Sequence, residues 1–238
     1  MEISPDQIVY WQWRDVTINA TLVFSWVVVA LLAVGAWLIT RNVTVGPKIS
    51  RWQNGLEALV SQILTQIETT GLRHPGRYLP FIGTLFIFIV TCNILSVVPG
   101  FITPTASVTT PIALAVCVFV AVPVYGIMNR GLKAYLKRYI QPTPLILPFT
   151  IIGEISRTVA LGIRLFGNMM SGNLIVAILL SLAPLFFPVA MQAFGLLIGV
   201  IQAYVFAVLA LVYIASAARV QQDVDETPVD DEGALSTT

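Results

Sequence analysis

Arg164 stands in the run GIRLFGNMMSGNLI, Gly162 to Ile175, and no residue after it carries a formal charge until Arg219. On a helix turning ~100° per residue, Arg157, Arg164 and Ser171 recur every seven positions and drift by only ~20° each, with Asn168 ~40° from Arg164. These residues form one polar stripe. Glu154 lies three residues before Arg157, the spacing of an i,i+3 ion pair near a helix entrance, and is read as its structural partner. That pairing leaves Arg164 alone. A milder stripe follows, in which Gln202, Tyr213 and Ser216 fall within ~40° of one another together with apolar Phe206 and Leu209.

The chemistry open to such a stripe depends on the arginine. Arginine stays protonated at physiological pH, so Arg164 can hold a fixed positive charge but cannot itself pass protons along. The chain's single histidine, His74, lies in a basic loop, and Glu154 is its one acid near the apolar segments. If the chain moves ions, the titrating or ion-binding carboxylate must come from another subunit. The alternative is that Arg164 snorkels or bonds a backbone carbonyl, with no role beyond structure.

The surroundings of the stripe are those of a membrane interior. Of 238 residues, 57% are hydrophobic and 11% charged, against about a quarter charged in soluble domains. This composition defines an all-α polytopic membrane protein, read as a single membrane domain over 1–238. A charged side chain at bilayer depth costs ~3 kcal/mol on the insertion scale, which makes Arg164 a functional candidate by default. The 54 uncharged residues after it would extend ~80 Å as one helix, more than twice the ~30 Å hydrocarbon core, so they must fold back on themselves.

About five membrane helices and one interfacial helix account for the chain. Residues 16–40 are free of charge and end at Arg41, which fits one span. Residues 49–70 place Ile49, Trp52, Leu56, Leu59, Val60, Ile63, Leu64 and Ile67 at three- and four-residue spacing, the pattern of an amphipathic helix lying on the membrane surface. The uncharged stretch from Tyr78 to Asn129 is broken by VVPGFITPTAS and divides into spans at 79–99 and 105–128. Helices at 150–182 and 189–218 then form a long tilted hairpin around APLFFP. Residues 220–238 read as a disordered acidic tail.

Lysine and arginine counts orient these spans. Five lie between 41 and 77, four between 130 and 138, and none near 100–110, so both basic loops should face the cytoplasm. The N-terminus is then outside and the C-terminus inside. The N-terminal segment carries acids where a secretory signal would be basic, so the first span should stay attached. Cys92 and Cys117 sit in apolar segments and read as small apolar residues, with no disulfide or metal motif. No cofactor and no nucleic-acid partner are expected.

RLFGNMMSGN at 164–173, followed by IQAYVFAVLALVYI at 201–214, resembles subunit a of F-type ATP synthases. The likeness extends to CNILSVVPG at 92–100, to the span order and to the length, and so covers all but the tail. It implies a non-catalytic stator channel packed against a rotating ring of c subunits, with b-type peripheral stalk subunits and the lipid bilayer as its other partners. Two half-channels would load and unload the ring carboxylates. By this resemblance Arg164 is the stator arginine and Gln202 the glutamine beside it, while Asn168 and Asn93 match asparagines of the corresponding motifs. For both asparagines, helix–helix hydrogen bonding and channel lining stand as equal readings. Ser171, Asn173, Tyr213 and Ser216 complete the candidate ion path. The implied location is a bacterial inner (plasma) membrane, with a thylakoid membrane as the other setting.

The chain also departs from that family's pattern. Many members carry an acid where Asn173 stands, an acid or histidine where Gly195 stands, and an acid around Ser96. Without those relays, protons would need water chains, or the carried ion is sodium, which accepts neutral oxygen ligands. Two other classes compete less well. A secondary transporter predicts internal repeats, which are absent; an intramembrane enzyme needs a nucleophile and base or metal ligands, which the spans lack. A passive scaffold leaves Arg164 without a purpose.

Overall fold

A computed structural model describes residues 9–13, 16–41, 51–72, 74–98, 101, 103–133, 147–182 and 187–218. Among the described residues, six long helices follow a short antiparallel ribbon: β1 Val9–Trp13, β2 Val16–Asn19, α1 Ala20–Arg41, α2 Arg51–Thr69, α3 Leu79–Leu95, α4 Thr109–Arg130, α5 Leu147–Leu182 and α6 Phe187–Ala218. Four of them (α1, α4, α5 and α6) are long and apolar enough to cross a membrane, and α3 is a shorter apolar helix of 17 residues. The fold is that of an all-α polytopic membrane protein. The acidic segment from residue 219 onward lies outside the described residues, as does the whole stretch 134–146.

The boundaries have local causes. The ribbon takes Val16–Asn19 out of the stretch read as the first span, pairing Trp13 with Val16 and Trp11 with Ile18. Val16, Thr17 and Ile18 are β-branched and suit an extended chain, and α1 begins at Ala20 once that run ends. At the end of α2 the backbone N–H of Gly71 bonds the Glu68 carbonyl with Gly71 at φ 70°, a left-handed conformation that closes a helix and favours glycine. The span read at 79–99 stops as a helix at Leu95, where Ser96 turns its N–H and hydroxyl back onto the Asn93 carbonyl. The following span starts at Thr109, after a 3₁₀ turn at Pro104–Ala106.

The core is built around α6, which packs against α3, α4 and α5. Its buried face is Ala203, Phe206, Ala207, Ala210, Leu211, Ile214 and Ala215. Four alanines in that face let neighbouring backbones come close, which matters in lipid, where packing rather than the hydrophobic effect joins helices. Ile82, Leu85 and Ile89 of α3 and Leu161, Leu165 and Met169 of α5 close over it. At one end, Asn129 of α4 donates its amide to the Tyr78 hydroxyl and accepts from Arg77 at 3.5 Å, pinning the end of α4 to the start of α3. The outer surface is apolar: Trp26, Trp37, Phe149 and Ile163 are exposed, as befits a surface facing lipid.

The hairpin sets the dimensions of the site. At ~1.5 Å per residue, the 36 residues of α5 and 32 of α6 span ~54 and ~48 Å. Both exceed the ~30 Å hydrocarbon core, so the pair must tilt or project beyond it.

Candidate functional site

The two stripes meet along the hairpin at two points. Asn168 on α5 donates its side-chain amide to Oε1 of Gln202 on α6 at 2.6 Å. Toward the other end, the Arg157 guanidinium lies 5.9 Å from the ring centre of Tyr213. Eleven residues separate the two α5 partners and eleven separate the two α6 partners, so both contacts belong to one antiparallel register. They stand ~16 Å apart along the helices.

Arg164 lies between them, one turn from Asn168 and two turns from Arg157. In this register it is level with Phe206, whose ring is fully buried and offers no hydrogen-bond acceptor. Arg164 is exposed and makes no hydrogen bond or ion pair among the described residues. Leu161, Leu165 and Met169 take the inward face of the same helix stretch, leaving the guanidinium directed away from the core. The geometry can therefore present a fixed cation at a helix surface, open to a group supplied from outside the chain.

Gln202 is its opposite in environment. It is 4% exposed; its Oε1 is taken by Asn168, and its Nε2 has no partner among the described residues. The stripe read as Arg164 beside Gln202 is resolved one turn further along, with Asn168 holding the glutamine. Ser171 donates to the Asn168 carbonyl at 3.2 Å, and Asn173 is exposed on the same helix.

At the Arg157 end, Glu154, Arg157 and Thr158 of α5, Tyr213 and Ser216 of α6 and three apolar residues of α4 surround a small cleft. It offers ~20 Å³ to the centre of a water molecule, enough for one. Ser216 donates to the Tyr213 carbonyl at 2.8 Å. The Glu154 and Arg157 pair of one stripe and Tyr213 and Ser216 of the other thus line one cleft.

Asn93 enters from α3. It is 3% exposed and donates from Nδ2 to the Leu196 carbonyl of α6 at 2.9 Å. Its side chain rests on Gly199 so closely that a Cβ there would lie 2.1 to 2.3 Å from the amide atoms. Gly195 and Gly199 form a G-x-x-x-G spacing in an apolar helix, the signal that could have revealed this approach from sequence. Two further contacts carried no such signal: Tyr204 donates to Oε1 of Gln66 at 3.0 Å, and Gln192 to the Ser96 carbonyl at 3.4 Å. Among the described residues, no cluster of three or more His, Cys, Asp or Glu could hold a metal ion.

A bundle of long apolar helices closed by a hairpin defines a polytopic membrane protein, and an exposed arginine on that hairpin is a candidate functional residue. Residues 22–215 match the ATP synthase A chain family. Among similar proteins, ATP synthase subunit a 1 of Crocosphaera subtropica is 58% identical over 222 residues, 93% of this chain and 96% of that one. ATP synthase subunit a 2 of a Picosynechococcus species is 59% identical over 222 residues, covering 93% and 95%. ATP synthase subunit a of Albidiferax ferrireducens is 55% identical over 219 residues, covering 92% and 95%. The chain belongs to the ATP synthase A chain family and is a membrane component of that complex.

Proposed function

We propose that this chain is the ion-translocating stator of an F-type ATP synthase, giving two half-channels to the carboxylates of a rotor c-ring so that ion flow drives rotation. It performs no covalent chemistry itself. The observation that carries the reading is Arg164: an exposed guanidinium without an acceptor among the described residues, level with a buried phenylalanine, on an apolar helix surface. Such a charge is costly in lipid unless a carboxylate arrives to meet it. Arginine remains charged throughout, so it holds an arriving carboxylate ionised and blocks direct passage of an ion between the two access paths.

In this reading Asn168, Gln202, Asn93, Ser171 and Asn173 serve the access path on one side of Arg164. Tyr213 and Ser216 serve the other, with Glu154 and Arg157 as the supporting pair. Peripheral b-type subunits hold the stator still. The N-terminus faces outward and the C-terminus the cytoplasm, across a bacterial inner membrane or a thylakoid membrane. Protons are the ion we assign first. Sodium is the second reading, supported by the neutral residues Asn173, Ser96 and Gly195.

Arg164→Ala is the test. It removes a costly charge, so insertion and assembly should be normal while gradient-driven ATP synthesis in reconstituted vesicles is lost. Arg164→Lys should be nearly as damaging, because lysine lacks the planar fork and can deprotonate when desolvated. Wild-type synthesis by the alanine variant at equal complex content would make the charge structural and end the stator reading.

A further inference from the structure

Part of the connection between α3 and α4, the turn at Thr103–Ser107, is buried, although a connection ordinarily runs over the surface, as Val97, Val98 and Val108 do here. Thr103, Pro104, Thr105, Ala106 and Ser107 are all buried, with Thr105 at 0% and Ser107 at 1% exposure. The turn packs against α1, α3, α4 and α5. Its backbone is provided for, since Ala106 N–H bonds the Thr103 carbonyl at 3.1 Å and Ser107 N–H the Pro104 carbonyl at 3.2 Å. Two of its side chains are not: Thr105 Oγ1 and Ser107 Oγ have no partner among the described residues. Asn19, immediately before α1, holds a third such atom in its buried Oδ1.

The level of this turn follows from the packing of α4 on α5. A Cβ at Gly162 would lie 3.3 Å from the Ala115 side chain and 3.4 Å from the Pro111 carbonyl oxygen. Val118, Phe119 and Val122, later in α4, share the cleft with Glu154, Arg157 and Thr158, earlier in α5. The two helices are therefore antiparallel. Continuing that register backward from Pro111 carries Thr105 and Ser107 to the part of α5 that follows Arg164, where Asn168 reaches Gln202. Gln202 Nε2 is the remaining buried side-chain atom without a partner among the described residues, so such groups come from the end of β2, from the turn and from α6.

We propose that Thr105 and Ser107 form a binding station for water, and for the monovalent cation that travels in it, on the outward access path to Asn168 and Gln202. The assignment rests on the stator reading of Arg164. A hydroxyl both donates and accepts, so it can join a chain of waters without a charge that would trap the cation. Buried polar groups without protein partners in native structures are the usual anchors of internal water. The alternative is a purely local role for Ser107, one residue before the cap of α4, in steadying the start of that helix.

The experiment uses the whole complex in membrane vesicles, with Cys92→Ala and Cys117→Ala as background. Thr105→Cys and Ser107→Cys are each exposed to silver ions, a thiol-reactive monovalent cation, added on either side, and the bound metal is read by protection from later alkylation. Silver is expected to reach both thiols from the outward side. In parallel, Thr105→Val with Ser107→Ala should lower gradient-driven synthesis about tenfold per assembled complex, the size of a lost hydrogen-bonding partner, while Thr105→Ser retains it. Thiols that silver never reaches overturn the proposal. So does a Thr105→Val, Ser107→Ala complex of lowered stability whose conduction per complex is unchanged, since that marks a capping role. Silver access requires no turnover, so it reads this site even if Arg164→Ala were to keep synthesis and so end the stator reading alone.

Discussion

Asn168 holds the carbonyl oxygen of the Gln202 side chain at 2.6 Å, so the glutamine that faces the stripe of α5 is anchored by an amide one turn from Arg164. The remaining Gln202 amide nitrogen is buried and has no partner among the described residues. The pair thus holds a buried donor one turn from Arg164, dependent on both helices keeping register.

Gln202→Leu and Asn168→Leu should each slow gradient-driven synthesis several-fold while assembly stays intact, since an uncharged amide orients or hydrates but cannot replace the charge of Arg164. Because the two residues act as one unit, the double variant should be no slower than the slower single one. Rates measured in vesicles at equal complex content decide this. Multiplying losses would separate the roles.

Gly199→Ala should destabilise the assembled subunit by about 1–3 kcal/mol, the usual cost of forcing extra volume into a packed contact. The new methyl would collide with the Asn93 amide, which is held to the Leu196 carbonyl. Removing the obstacle with Asn93→Ala in the same chain should recover part of that loss. Thermal dissociation of the detergent-solubilised complex measures it, and additive losses would mean that the two residues do not touch.

Tyr213→Phe should keep wild-type stability, because it preserves the ring beneath the Arg157 guanidinium, but should slow synthesis by removing the hydroxyl from the access path. Tyr213→Leu removes a cation–π contact of about 0.5–1 kcal/mol and opens the cleft shared with Glu154 and Ser216. Stability and synthesis of the two variants are compared directly. A phenylalanine variant that synthesises ATP at the wild-type rate would take the Tyr213 hydroxyl out of the proposed ion path.

If sodium is the carried ion, ATP hydrolysis by the whole complex at fixed pH should rise with sodium concentration, and sodium should shield the ring carboxylate from carbodiimide. The neutral side chains of Asn173 and Ser96 and the bare Gly195 motivate the measurement. Indifference to sodium in both assays would leave the proton as the coupling ion.

The sequence alone determined the helical membrane class, the hairpin and the stripe on which Arg164 stands. These are local properties: in lipid a helix satisfies its own backbone, so hydropathy marks its extent and a ~100° turn sorts its faces. The beginning of the first span was not legible, because Val16–Asn19 pairs with Val9–Trp13 and strand pairing depends on a partner elsewhere in the chain. Only tertiary structure decided that Gln202 is buried while Arg164 is exposed, although both stand in polar stripes. It also decided that Asn93 rests on Gly199 and that Thr105 and Ser107 lie inside the bundle. Periodicity says which residues share a face; what covers that face depends on the rotation and register of the neighbouring helices. In a bilayer those are set by the fit of small residues such as Gly162 and Gly199, a property of paired surfaces rather than of one segment.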